Sequence, residues 1–150
     1  MQPQTRSVLE SLQREIQDAL SKINSLRGLP IHTHSQSWFE AQIRCQTEMT
    51  SGIHIRIHPP IPLRIEEGIS GPIFDDLELC IEVLEYPMSN TSGWSIVAVA
   101  EQICRQLHGL ALQAPSGSGQ LSCRSEKPWH YQFEDTHNRI QIYFTAACTL

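Results

Sequence analysis

The sequence predicts an α+β fold, a two-layer arrangement of a mostly antiparallel sheet with two principal helices packed on one face. Three observations predict it. The stretch DLELCIEVLEY (76–86) alternates Leu77, Leu79, Ile81 and Val83 with Glu78, Cys80 and Glu82, the period of two that a half-buried strand requires. The stretch WSIVAVAEQICRQLHGLAL (94–112) sets Ile96, Val99, Ala100, Ile103, Cys104 and Leu107 on one apolar stripe, with Glu101, Arg105 and Gln106 opposite. Trp129, Tyr131 and Phe133, then Ile140, Ile142, Phe144 and Ala146, alternate with polar residues on either side of a turn at 135–138, which reads as a hairpin. A strand with one apolar face and a helix with one apolar stripe bury each other.

Taken in order, Ser7 to Arg27 reads as a helix. Ser7 and Glu10 form an S-x-x-E capping box, in which hydroxyl and carboxylate satisfy two otherwise unpaired amides. Leu9, Leu12, Ile16, Leu20, Ile23 and Leu26 step by three and four, and Gly28 and Pro30 stop the helix. Leu29 to Ser37 reads as a loop. WFEAQIRCQTEM (38–49) and GIHIRIHPPIPLRIEE (52–67) then read as two or three strands. Pro59, Pro60 and Pro62 break the run, since each lacks the amide that a ladder needs, and Leu63 to Glu66 resumes as an edge strand.

Gly68 to Asp76 reads as a loop with Ile73 and Phe74 tucked inward. Pro87 ends the long strand, while Ser89, Asn90, Thr91 and Ser92 supply turn and N-cap chemistry. Gly109 is the expected C′ residue of the second helix, because glycine takes the left-handed backbone cheaply. Ala114 to Gly119 is a connector too short to link domains, and Gln120 to Arg124 a brief strand. Residues 1–150 are thus expected to form one domain, with an N-terminal helix (1–28), a proline-broken strand region (38–86), a helix (93–109) and C-terminal strands (120–148).

Composition narrows the function. With 40% hydrophobic and 18% charged residues the chain suits a folded core rather than disorder. A formal charge of −5 without a Lys/Arg run argues against nucleic acid or an anionic membrane as partner. No apolar run approaches the ~20 residues that span a bilayer. The first residues lack an apolar signal core, so export by a signal peptide is not expected. The five cysteines (45, 80, 104, 123 and 148) include no CxxC pair, and reduced thiols without metal or disulfide are the natural expectation.

Several constellations invite chemistry, and each has a plainer reading. His32-x-His34 with Glu40 could hold a metal in the manner of a cupin, but the spacing H-x-H-x5-E departs from that pattern and an exposed polar loop accounts for it. His54, Arg56 and His58 share one face of a strand and could bind an anion or respond to pH; a solvated or subunit-facing surface is the simpler account. Ser116-Gly117-Ser118-Gly119 lacks the strand context of a nucleophile elbow, and no phosphate-binding glycine motif occurs. Glu66-Glu67 and Asp75-Asp76 read as turn carboxylates. The sequence therefore names no catalytic residue, no metal ligand and no cofactor.

The order of elements carries a resemblance. A capped helix, a proline-broken strand region, the strand LELCIEVLEY, the helix AVAEQICRQLHG and the strands HYQFEDTHNRIQIYFTA together resemble small tail proteins of tailed bacteriophages, especially the tail terminator (tail completion) family and related prophage minor tail proteins. The resemblance covers roughly residues 76 to 150. It implies a non-catalytic structural protein that forms a closed ring, often a hexamer, capping the tail tube and joining tail to head. Tube and head-completion proteins are then the partners, the bacterial cytoplasm the place of assembly, and the virion or a phage-tail-like particle the destination. A stand-alone interaction module and a small cupin-like enzyme are the alternatives.

A head-to-tail ring needs two unlike patches on each subunit. The expected candidates are the His54/Arg56/His58 face and the acidic Glu78/Glu82 face, with salt-sensitive docking between them. Leu84 and Tyr86 lie on the latter face, where a wholly solvated surface would not need them. Trp94 and Trp38, near loop junctions, are candidate anchors at an interface or, equally, core residues.

Overall fold

The structure, a computed structural model, describes residues 8–33, 52–69, 71–113 and 119–149, and of 71–75 and 147–149 the backbone only. In chain order the elements are α1 (Val8–Ser21), β1 (Ile31–His32), β2 (Ile53–Ile57), β3 (Ile61–Gly68), β4 (Gly71–Glu85), α2 (Ile96–Leu107), β5 (Ala111–Leu112), β6 (Gly119–Cys123), β7 (Trp129–Phe133) and β8 (Asn138–Thr149). The fold is α+β. The strands follow the order β1-β2-β4-β8-β6-β5, with β3 also on β4 and β7 also on β8. Among the described residues only the short β1–β2 pairing is parallel.

Two long strands, β4 and β8, run antiparallel from Glu85↔Asn138 to Asp75↔Thr149. Each is flanked twice on its outer side. β2 pairs residues 81–85 of β4 and β3 pairs residues 71–78. β7 pairs residues 138–142 of β8 and β6 pairs residues 144–146. Ile53, Ile55, Ile57, Leu77, Leu79, Ile81, Val83, Ile140, Ile142, Phe144 and Ala146 join the buried residues of both helices in one cluster. From α1 it takes Leu12, Ile16 and Leu20, and from α2 Ile96, Val99, Ala100, Ile103 and Leu107.

The N-terminal helix stops at Ser21, short of the expected Arg27. Ser21 Oγ donates to Asp18 O at 2.7 Å, the local bond that makes serine a poor helix interior. Beyond it the amides of Lys22, Ile23, Leu26, Arg27 and Leu29 all donate to the carbonyl three residues back. Such tight turns eclipse residues three apart, so Leu20, Ile23, Leu26 and Leu29 all stay inward. The apolar pattern that suggested one long helix is kept by a different coil. Ser7 lies outside the described residues.

Two expected loops are partly strand. Ile31 and His32 pair with Ile55 and Arg56. The stretch 68–76 forms the return of a hairpin, with β3 and β4 in one continuous register from Ile61↔Glu78 to Gly68↔Gly71. Gly, Pro and paired Asp there mimic a loop. A register shift against β8 falls between Asp75 and Leu77, with Asp76 at φ 49°. The edge strand begins at Ile61 and not at Leu63, so Pro62, expected in the break, lies within it, where an edge tolerates a residue without an amide. The expected strand 38–49 lies outside the described residues, as do the side chains of Ile73 and Phe74.

Helix α2 begins later than expected. Ser95 is its N-cap, its Oγ accepting from Ala98 N at 3.1 Å. Asn90 and Ser92 instead knit the preceding loop: Asn90 Oδ1 accepts from Ser92 N at 3.1 Å, and Asn90 Nδ2 donates to Trp94 O at 2.9 Å and Glu85 Oε2 at 2.7 Å. Gly109 has φ +85° and follows the last helical turn, as a C′ glycine should.

Gly52 precedes β2 against that same loop. Its φ is +82°, and a Cβ there would meet Ser89 C and O at 2.6 Å and Asn90 N at 2.7 Å, all backbone. Gly28 has φ +92° but open space around it. Gly28→Ala should therefore lose about 1–2 kcal/mol for the backbone alone, and Gly52→Ala about 3 kcal/mol or more by adding overpacking. Urea unfolding of both variants checks this; equal losses would contradict the close approach.

Candidate functional site

The second face of the central sheet, opposite the core residues, carries Arg56 from β2, Glu78, Cys80 and Glu82 from β4, and Arg139, Gln141 and Tyr143 from β8. Register brings them together: Arg56 pairs with Glu82, and Glu82 with Gln141. Glu82 Oε1 lies 3.1 Å from Arg56 Nη2, and Oε2 lies 3.5 Å from Arg139 Nε and 3.7 Å from His58 Nε2. Gln141 Nε2 donates to Glu82 Oε2 at 3.2 Å. Arg56 Nε donates to His58 Nε2 at 3.2 Å. The contacts to Glu82 Oε1 and Arg139 Nε are charge contacts, since neither atom has an aligned hydrogen bond among the described residues.

Glu82 is wholly inaccessible and Arg56 is 2% exposed. Burial would raise the Glu82 carboxyl, but the adjacent His58 imidazole and the Arg56 and Arg139 charges outweigh it and hold the group below the ordinary carboxylate range. A carboxylate so held is a structural counter-ion. It is too well neutralised and too closed to solvent to act as a general base. Burial, helped by the Glu82 charge, pushes the neighbouring Cys80 thiol up to about 12, leaving it an inert hydrophobe.

Along β2 the same face continues to His54, which is buried. Its Nδ1 lies 3.3 Å from His32 Nε2, with the rings stacked at 5.5 Å. Burial first, and His32 second, lower the His54 pKa to about 4. His32 is thus engaged with His54. His34, Glu40 and Trp38 lie outside the described residues. Among the described residues no group of three His, Cys, Asp or Glu side chains could hold a metal.

The expectation of two opposed docking patches changes here. The histidine/arginine row and the acidic row lie on adjacent strands of one face, and Arg56 and Glu82 neutralise each other inside the chain. Cross-strand register, which one strand read alone does not reveal, is the reason. His58 and Glu78 remain partly exposed, Glu78 facing Arg124 at 3.7 Å. Leu84 is buried with Tyr86 packed beside it, and Tyr86 also meets the His137 ring at 5.8 Å. Trp94 packs partly buried against the main core. Arg139, Gln141 and Arg124 were not singled out from the sequence. The alternation of Arg139, Gln141 and Tyr143 with Ile140, Ile142 and Phe144 was the available signal.

At the rim of the sheet, β7 presents Trp129, Tyr131 and Phe133 on the core side, opposite Ile142, Ile140 and Asn138. Trp129 Nε1 donates to Cys104 Sγ on α2 at 3.0 Å, tying strand to helix. Among the described residues Cys80, Cys104 and Cys123 are free.

No family model matches the chain, and no curated protein does. Among solved structures it is similar to a chain of the virion of a native gene transfer agent (GTA) particle, with a TM-score of 0.65 and 14% identity, over 97% of this chain and 100% of that one. At that identity the likeness is one of fold. No helix among the described residues is long and apolar enough to cross a membrane.

His54 gives the site a pH signature. In the fold it binds a proton only near pH 4, against an ordinary value of 6.5. Between those values the unfolded chain binds more protons, so stability is full above about pH 6.5 and falls as pH drops toward 4, by at most about 3 kcal/mol. Glu82, with its depressed pKa, adds a loss of the same sign in stronger acid. His54→Asn should flatten the profile between pH 6.5 and 4.5. Urea unfolding across that window checks it; an unchanged slope would contradict the buried neutral imidazole.

Proposed function

We propose that the chain is a non-catalytic structural protein of a phage or prophage tail, one that assembles with copies of itself into a ring capping the tail tube or joining tail to head. The observation that carries this reading is the likeness of fold, over nearly the whole length of both chains, to a chain of a gene transfer agent virion. The resemblance of residues 76–150 to tail terminator proteins points the same way, and so does the chemistry of the second face. Its most buried ionisable groups are spent on one another, which suits a scaffold better than a reaction centre.

In this reading residues 1–150 act as one domain, with both helices on one face of the sheet and the edges and corners meeting neighbours. His58, Glu78 and Tyr86, all partly exposed, are available to such contacts. Arg56 and Glu82 contribute by fixing the register of β2, β4 and β8. Partners are further copies of this chain, tube proteins and head-completion proteins, and the destination is the particle.

Light scattering over a concentration series, with and without isolated tail tubes, tests this. The expected outcome is concentration-dependent growth from monomer to a closed species of fixed size. A monomer under every condition, tubes included, would overturn the ring, and so would an obligate two-fold dimer.

A further inference from the structure

β3 and β7 occupy diagonal corners of the sheet. β3 lies outside residues 71–78 of β4 and β7 outside residues 138–142 of β8, which pair at the far end of the ladder, where β8 meets residues 81–85 of β4. Each carries an apolar row at alternate positions, five residues long. On β3 the row is Ile61, Leu63 and Ile65, all exposed, Leu63 by 52%. On β7 it is Trp129, Tyr131 and Phe133, the last two exposed and Phe133 by 67%. Edge strands of lone monomers are ordinarily guarded by charge or twist, and rows of exposed apolar side chains mark contact surfaces.

The two rows face opposite ways. Ile61 pairs with Glu78, so its row shares the second face of the sheet, the face of the charge cluster. Tyr131 pairs with Ile140, so its row shares the core face. One chain cannot bring these rows together, but two chains overlapped like tiles can. The second face at one copy's β3 corner would then lie on the core face at the next copy's β7 corner. Each copy keeps one row free, the condition for a head-to-tail chain that closes by rotation.

Charge sets the alignment. Glu66 and Glu67 follow the β3 row and His58 precedes it; Lys127 precedes the β7 row and Glu134 follows it. Lying antiparallel, the rows bring Glu66 and Glu67 toward Lys127. Lying parallel, they would set Glu66 and Glu67 against Glu134 and Asp135, a like-charge clash. The Arg64 that faces Glu66 at 4.0 Å is itself exposed and leaves that carboxylate reachable.

We infer that the Ile61/Leu63/Ile65 row of β3 docks, antiparallel, on the Tyr131/Phe133 row of β7 in a second copy of this chain. The inference rests on the self-assembling reading above and gives it its contact. An aliphatic row on an aromatic row supplies apolar burial with large rigid anchors.

The test uses two full-length variants, Leu63→Asp and Phe133→Asp, whose changed side chains are exposed, with circular dichroism confirming the fold. Each alone should be monomeric where the unaltered chain assembles. Mixed in equal amounts they should form a dimer and stop there, because one retains a live β7 row and the other a live β3 row. In the unaltered background, Lys127→Glu should weaken assembly at least tenfold, and Glu66→Lys with Glu67→Lys should restore it when combined with Lys127→Glu. Sedimentation velocity reads every arm. If the unaltered chain assembles and either Asp variant alone still assembles fully, or the mixture yields no dimer, the docking is wrong while the ring survives. A Phe133→Asp variant that dimerises alone would mean two β3 rows pairing by two-fold symmetry. An unaltered chain that never associates would sink both.

Discussion

The antiparallel ladder between β4 and β8 is the constraint on which everything else depends. It runs from Glu85↔Asn138 to Asp75↔Thr149, longer than any other pairing in the described chain. Because side chains alternate with a period of two, its register decides every residue's face at once. Leu77, Leu79, Ile81 and Val83 fall beside Ile140, Ile142, Phe144 and Ala146, in one buried cluster with residues of both helices. Glu82 falls beside Gln141 and next to Arg56 and Arg139. A slip of one residue would drive Glu82 into the core.

The charge cluster guards that register. Two guanidiniums, an imidazole and an amide around one buried carboxylate gain little net stability, since desolvation offsets most of the Coulomb attraction. Separating Glu82 from Arg56 and Arg139, however, would strand buried charge without its counter-ions, so competing alignments of β2, β4 and β8 are penalised. The cluster selects one alignment more than it strengthens it.

The sequence was legible where one element explains itself. The β4 alternation, the α2 stripe, the Gly109 stop and the β7–β8 hairpin follow from period, capping and turn chemistry read locally. It misled where two physical solutions share one pattern. Leu20, Ile23 and Leu26 satisfy a helix face and a series of three-residue turns alike, and Gly68 to Asp76 satisfies a loop and the return strand of a hairpin alike. The Arg56–Glu82 pairing was illegible because it is a property of register between distant strands. Each residue looked like half of a surface, and together they close on each other. The outward apolar rows on β3 and β7 share the same origin: alternation is plain in the letters, but which side faces out depends on pairing.

In the assembly proposed above, the corners of the sheet rather than its middle meet neighbours, because the middle holds core on one face and neutralised charge on the other. The role proposed above is that of a cap or joint at a tube end. Gold-labelled antibody against the chain, imaged by electron microscopy on intact tailed particles, tests it most directly. A cap or joint would confine label to one end of each tail, at the junction with the head. Label along the whole tube, or particles carrying none, would contradict it.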